Sequence, residues 1–477
     1  MVAPPVIVLR SVKSFLESLS YGLVVMKLGG LLSAALVLAA LLGALYWSNR
    51  HKASEDTSLK TPADAAPKIL SLDKAGVARL AIRRKDQPEV DLARNDSGTW
   101  QITAPKPLAA DQDAVSSLLS LLSPLNSDRL IEEKASDLSK YGLAAPSLEV
   151  DLTLKDSKTQ KLLIGDQTPS GSNYYAAVAD EPRLYTIASY NKSGLDKTAD
   201  DLRDKRLLTA DFDKVSQIEL VGLKPDKKQD ITFARDKDAW QILKPGPYRA
   251  ETYQVENLIR SLKDARMESN AADEEPVNAA VFKSAASFVS AKITGASGTQ
   301  ELELRKAKED YYAKTSVLPG VYKVPAAVGT GLDKSLDDFR NKKIFDFGFQ
   351  DPNKVEIHEG AKSYFLAHSG SDWWGPDGKK LDDSSVQALL SKLRDLSAEA
   401  FPDSGFTAPM MEITVTSNDN KRVEKVAVAK SGENYIAKRE NEPALYELTA
   451  SAIPDLEKAA SELKPAAPPA SAPAKKK

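Results

Sequence analysis

The spacing of apolar positions changes period several times along the chain, and the order of those changes repeats. Val77 to Ile82 and Pro88 to Arg94 read as extended segments, followed by the turn Asp96-Ser97-Gly98 and a third extended segment at Trp100-Gln101-Ile102. From Asp111 the period lengthens. Val115, Leu118, Leu119 and Leu122 recur at three- and four-residue spacing, which predicts a helix with one apolar face and with Asp111 or Asp113 at its N-terminal end. Past Tyr141-Gly142-Leu143 the period drops to two. Leu148, Val150, Leu152 and Leu154 alternate, Asp156-Ser157-Lys158 turns the chain, and Leu162-Leu163-Ile164-Gly165 returns as a hairpin partner. Strands at Tyr174 to Val178 and Arg183 to Ile187, and a polar helix from Lys192 to Leu207, complete the unit.

The order then recurs twice. Ile218-Glu219-Leu220 and Ile231-Thr232-Phe233 lead to Trp240, Tyr253 to Leu262 forms a helix, and a second short helix is expected at Val281 to Phe288 after the variable stretch Asn270 to Ala280. Strands follow around Ala291 to Ile293, Leu302 to Leu304, Tyr311 to Ala313 and Val321 to Val324, with Lys334 to Lys342 in the place of the closing helix. In the third unit Val355-Glu356-Ile357 and Tyr364-Phe365-Leu366 precede Trp373-Trp374. A helix carries Val386, Leu389, Leu390, Leu393 and Leu396, and the strand Met411, Ile413, Val415 faces one carrying Val426 and Val428, with Val423 out of phase. Ile453 to Leu463 is the last helix expected.

Finer anchors tie the three together. Trp100-Gln101-Ile102-Thr103-Ala104-Pro105 matches Trp240-Gln241-Ile242-Leu243-Lys244-Pro245 at an offset of 140 residues, and Trp374-Gly375-Pro376 reads as a weaker third copy. Tyr175 to Tyr185, Tyr312 to Tyr322 and Ile436 to Tyr446 are each ten residues apart, and Leu202-Arg203-Asp204-Lys205 matches Phe339-Arg340-Asn341-Lys342. The expectation is an α+β fold of three related modules, 68–211, 212–347 and 348–463, of mainly antiparallel sheet with packed helices, since successive strands are joined by short turns.

A different pattern precedes the modules. Residues 28–47 hold twenty consecutive uncharged positions, LGGLLSAALVLAALLGALYW, enough to cross about 30 Å of hydrocarbon. A cleaved signal peptide would want a small-x-small site before Arg50, which is lacking, so the run reads as a single-pass anchor. Residues 1–27 read as a short cytoplasmic or interfacial segment, 48–67 as a flexible linker and 464–477 as a disordered Ala/Pro/Lys tail. Lysine and arginine flank the span on both sides and barely discriminate topology. The short N-terminal side makes N-in simpler, with the modules outside the cytoplasm, on the periplasmic face of a bacterial inner membrane.

Composition narrows the chemistry. Lys and Arg total 65 against 67 Asp and Glu, so no excess charge draws the chain to nucleic acid, and the lack of cysteine removes thiolate catalysis and sulfur-ligated metals. No P-loop, Rossmann, H-E-x-x-H or G-x-S-x-G pattern occurs in its required setting. His358 and His368 lie on adjacent expected strands without metal-ligand spacing, and Ser369, Ser371 and His368 lack the orienting geometry of a hydrolase. No catalytic residue, cofactor or metal site is expected. Trp100 and Trp240 read as core pins. Adjacent strand residues face opposite ways, so of Trp373 and Trp374 one should be buried and the other offered to a partner. By the same alternation Tyr174 and Tyr311, with Arg203 and Arg340 as neighbours on the closing segments, are candidate contact residues.

The stretch Ile164-Gly165, Thr168-Pro169, Gly171, Tyr174-Tyr175 and Tyr185, following Trp100 and Pro105, resembles the family known as domain of unknown function 4340. The second unit keeps Trp240, Pro245, Tyr311-Tyr312 and Tyr322 but lacks the Gly165-to-Gly171 feature. The resemblance implies a membrane-anchored auxiliary protein beside ATP-driven export systems of the gliding-associated type, with an integral-membrane partner such as ABC-type transporter subunits. Repetition without convergent chemistry favours a non-enzymatic scaffold or binding component. The alternative is a membrane-tethered cell-wall carbohydrate-binding protein or glycan hydrolase, which would need an intermodule cleft with two carboxylates and aromatic walls.

Overall fold

The computed structural model describes residues 67–467 except 225–226, 238, 270–274 and 349. The expected membrane span at 28–47, the segment before it, almost all of the linker and the tail from residue 468 lie outside the described residues. Among the described residues no helix is long and apolar enough to cross a membrane. The chain divides into two compact units, one reaching Pro107 and including Gln112–Ala199, the other formed by Leu108–Asp111 with the residues from Asp200 onward.

The first unit is built on one antiparallel sheet. From one side its strands run Trp100–Ala104, Val90–Arg94, Val77–Arg84, Leu148–Leu154, Thr159–Gln167, Asn173–Val178, Leu184–Ala188 and Arg129–Glu132. The helix Gln112–Leu122 buries Val115, Leu118, Leu119 and Leu122, the four positions whose spacing predicts it. The edge strand Arg129–Glu132 carries no alternating apolar pattern and escapes the sequence reading.

The second unit holds two further antiparallel sheets. One runs Tyr248–Arg249, Ala239–Lys244, Lys227–Asp236, Val215–Lys224, Ala286–Gly295, Gly298–Ala307, Asp310–Thr315 and Tyr322–Val324. The other runs Asp372–Trp374, Lys362–Ser369, Lys354–Glu359, Met411–Ser417, Arg422–Ser431, Asn434–Arg439 and Leu445–Leu448. The helices Thr252–Lys263 and Asp383–Asp395 occupy the same chain position as Gln112–Leu122, and Asp382 caps the latter by accepting from the Ser385 N–H. One apolar cluster spans Leu207 to Phe339 and the next spans Ile344 to Ala460, so each of these sheets closes over its own core.

The ten-residue spacing reflects a shared register, in which the residue just after the first member faces the second. Ala176 stands opposite Tyr185, Ala313 opposite Tyr322 and Ala437 opposite Tyr446, and all six are buried. A methyl group beside a phenol fills the same volume at one place in each sheet. The tryptophans obey a second rule. Trp100 pairs with Arg94, Trp240 with Arg235 and Trp373 with His368. In each pair a cationic or heteroaromatic group lies against the indole, at 4.7, 5.9 and 4.8 Å between centres. The third copy of the motif is therefore Trp373, not Trp374. The peptide bonds before Pro105 and Pro245 are both cis, which completes the likeness of the first two turns.

Three expected helices are redrawn. Lys192 to Leu207 is two short helices, Ser189–Leu195 and Ala199–Leu202, followed by extended chain; Lys334 to Lys342 gives way likewise to Ala326–Leu332 and Leu336–Phe339. Residues past Leu202 and Phe339 must leave the helix because their backbone groups are bonded elsewhere: the Asp204 N–H to Ala109 and the Asn341 N–H to Arg249. The helix expected at Val281 to Phe288 is Glu275–Ser284. Phe288 already belongs to the strand Ala286–Gly295, where its ring meets Tyr311 edge-on at 5.1 Å.

Gly165, in the Ile-Gly-x-x-Thr-Pro-x-Gly stretch, sits where a Cβ would overlap the Tyr141 carbonyl oxygen, whereas the nearest atoms to a Cβ at Gly76 are 3.8 Å away. The backbone at 141–142 can lie on this strand only if the residue there has no side chain. Gly165→Ala should lower unfolding free energy by about 1–3 kcal/mol in urea titration. Gly76→Ala should change it by less than about 0.5 kcal/mol. Equal effects would refute the packing reading.

Candidate functional site

The densest polar constellation in the second unit lies where its two sheets meet. Arg249 ends the short strand Tyr248–Arg249 of one sheet, while Arg422, Glu424, Arg439 and Tyr446 stand on strands of the other. Asp346 and Glu442 come from the segments between. Arg249 pairs with Asp346 at 2.6 Å and with Glu442 at 3.2 Å, and donates to the Lys343 carbonyl and to the Tyr446 hydroxyl. Arg439 pairs with Glu442 at 2.7 Å and Glu424 at 3.0 Å and donates to the Ile344 carbonyl. Arg422 reaches Asp346 at 3.1 Å and Glu424 at 3.6 Å. The Asp346 N–H donates to both oxygens of Glu424, and the Tyr446 hydroxyl donates to Glu442 at 2.8 Å.

Three guanidinium groups thus face three carboxylates, with phenol and backbone taking up spare donors and acceptors. Glu424 needs this most, since it lies in phase with Val426 and Val428 on the inward face and is buried. Burial opposes the charge on Arg249, but Tyr446, Asp346 and Glu442 outweigh it and hold the guanidinium above its ordinary pKa. A cavity of about 490 Å³ opens beside the network, lined by Trp240, Tyr248, Arg249, Asp346, Arg422 and Glu442 among others. It has the aromatic wall and the two acids that a glycan-cleaving site would want. Both acids, however, are engaged by arginines at 2.6–3.2 Å.

The residues singled out from sequence fall in different places. Trp373 is buried in the third core, and Trp374 is exposed on the opposite face at 37%. Tyr174 is half-buried with the Lys192 ammonium 5.4 Å from its ring. Tyr311 is buried in the second core, and Tyr312 on the other face is covered by Phe282 from the helix Glu275–Ser284. That helix closes the outer face that alternation alone leaves open to a ligand. Arg203 is buried with its guanidinium 5.8 Å from the Tyr322 ring. Arg340 is buried between the rings of Tyr248 at 4.2 Å and Phe401 at 3.8 Å, joining the two sheets of the second unit. Tyr311, Trp373, Arg203 and Arg340 are therefore packing residues in this chain, and Trp374 alone of the six stands clear.

The two histidines do not meet. His358 lies opposite Ser363, its ring nitrogen 2.9 Å from that hydroxyl, while His368 stacks on Trp373 at the far end of the hairpin, about 16 Å away at 3.3 Å per residue. Among the described residues no group of three or more His, Cys, Asp or Glu side chains is placed to hold a metal ion. The arginine–carboxylate network itself was missed in the sequence. Its one signal was Val423, out of phase and 54% exposed, which puts Glu424 in the inward register.

Burial pushes the Tyr446 hydroxyl above the ordinary tyrosine range, with Arg249 opposing and Glu442 adding to the rise. A raised pKa means the folded state holds the proton more tightly. The associated stability is complete below about pH 10 and is lost as pH climbs through the shifted value. Tyr446→Phe should therefore reduce the loss of stability above about pH 10 in urea titrations at each pH. An unchanged pH slope would count against this placement.

No curated protein and no solved structure matches the chain. Two stretches, residues 100–279 and 240–411, match one family. The matches begin at Trp100 and at Trp240, so the offset of 140 residues is that of the internal repeat. Together they cover well over half of the sequence, and the chain belongs to the family described as Domain of unknown function (DUF4340).

Proposed function

We propose that the protein is a non-enzymatic, membrane-anchored scaffold or binding component. It would be held by residues 28–47 in a bacterial inner membrane with its repeats on the extracytoplasmic side, auxiliary to an ABC-type export or gliding-associated assembly. The observation that carries the reading is the ion-paired joint between the second and third sheets. Asp346, Glu424 and Glu442 are each bonded to an arginine, and Arg340 is clamped between rings from both sides. Such a joint spends its polar groups on holding neighbours together, which suits a contact-making array better than a reaction centre. The uncharged run of twenty residues supplies the anchor. Trp374 offers an exposed indole at the edge strand Asp372–Trp374, and large aromatic side chains at such positions dominate many interfaces.

The glycan-directed alternative draws on the cavity beside Trp240 and Tyr248, but it requires the acids there to be released from Arg249 and Arg422. Mild-detergent extraction, co-purification and crosslink mapping separate the two. A reproducible integral-membrane partner crosslinked to the repeats is expected, with Trp374→Ala weakening recovery at least roughly tenfold while thermal stability stays unchanged. Recovery only as an isolated protein would sink the scaffold reading.

A further inference from the structure

Three short segments share a pattern that hydrophobic periodicity does not group. They are Pro67-Lys68-Ile69-Leu70, Lys205-Arg206-Leu207-Leu208 and Lys342-Lys343-Ile344-Phe345. Each places a basic residue before two apolar ones, and the apolar pair is buried in all three. Each also lies antiparallel to the residues just beyond the helix that follows the Trp-bearing strand. Leu207 N–H donates to Ala265 and Met267 N–H to Lys205, both at 3.0 Å. Ile344 N–H donates to Leu396 at 3.0 Å and Ala398 N–H to Lys342 at 2.8 Å. In the first unit Ser127 N–H donates to Pro67 at 2.9 Å, and Lys68 faces Asn126 as Arg206 faces Arg266 and Lys343 faces Ser397. The first position is used through its carbonyl, a role proline fills as well as lysine.

The second and third segments follow directly on the chain that closes the preceding repeat. The first follows on the stretch that reads, by composition, as a plain tether. We infer that the slot beside the post-helix residues is a recognition surface for an extended basic-apolar-apolar strand, and that Pro67–Leu70 is its resident ligand in the first unit. Main-chain bonds supply the attachment and the buried apolar pair supplies the selectivity, as in strand addition to an open edge. The last residues before the first sheet are then a structural strand of that unit and not free linker.

The outgoing side of each repeat is also conserved in geometry. Asp111 N–H donates to Leu202, Glu251 N–H to Phe339 and Asp382 N–H to Lys464, at 2.7–2.8 Å. Counting five residues on from Leu202 and Phe339 reaches Leu207 and Ile344, the donors into the next slot.

Amide hydrogen exchange on the full chain in detergent tests the inference. The Ser127 amide should exchange as slowly as those of Met267 and Ala398. Ile69→Asp should speed it by roughly tenfold or more while leaving Met267 and Ala398 unchanged. A synthetic peptide of residues 67–72 should restore protection, and the same peptide with Asp in place of Ile69 should not. Should Ile69→Asp unfold the first unit, Ile69→Ala gives the same comparison at smaller size. Fast exchange at Ser127 in the parent chain, or rates indifferent to both substitutions and to the peptide, would overturn the inference. Neither result depends on whether a membrane partner is found.

Discussion

Each repeat must cover one apolar sheet face with less helix than the face requires. The helix after the tryptophan is eleven to thirteen residues long and buries three or four large side chains, while the inward face of the second sheet alone presents Ile218, Leu220, Ile231, Phe233, Ile242, Ala291, Ile293, Leu302 and Leu304. At about 25 cal/mol per Å² the uncovered remainder would be a heavy loss. The shortfall is made up by short closing helices and by the apolar pair of the incoming strand, Leu207-Leu208 or Ile344-Phe345. The second and third sheets share one compact unit.

The same constraint accounts for the charges at the joint. Closing one core against the next carries Glu424 and Arg439 inward with the apolar residues of their strands, and a buried charge is tolerable only when paired and hydrogen-bonded. Arg249 and Arg422 complete the balance from the rim. The acids beside the aromatic-walled cavity, Asp346 and Glu442, are held by Arg249, Arg422 and Arg439. Asp346, Glu424 and Glu442 are thus engaged in holding the second and third sheets together.

Much of the fold was legible because alternation and helical spacing are strong wherever one face is buried. Val115, Leu118, Leu119 and Leu122 lie where their period places them, and the ten-residue spacing marks a shared register in which the alanine after the first member faces the second. The failures have physical causes. Trp374 was aligned with Trp100 because a proline-bearing turn follows it, yet the deciding feature is the facing residue, His368 for Trp373 as Arg94 for Trp100. Tyr311 and Tyr312 could not both be assigned from alternation, since the helix that covers the second ring lies far ahead in sequence. Lys68-Ile69-Leu70 was invisible as a strand because three residues carry no period, and its pairing partner is more than fifty residues away.

The central claim is that the carboxylates at the joint serve cohesion between repeats. A double-mutant cycle between Arg249→Met and Glu442→Gln, read as unfolding free energy in urea, tests it most directly. The account predicts that each single change destabilises and that the pair is coupled by about 0.5–3 kcal/mol, as for residues sharing one hydrogen-bonded network. Strict additivity, or a more stable protein on removing either charge alone, would contradict it.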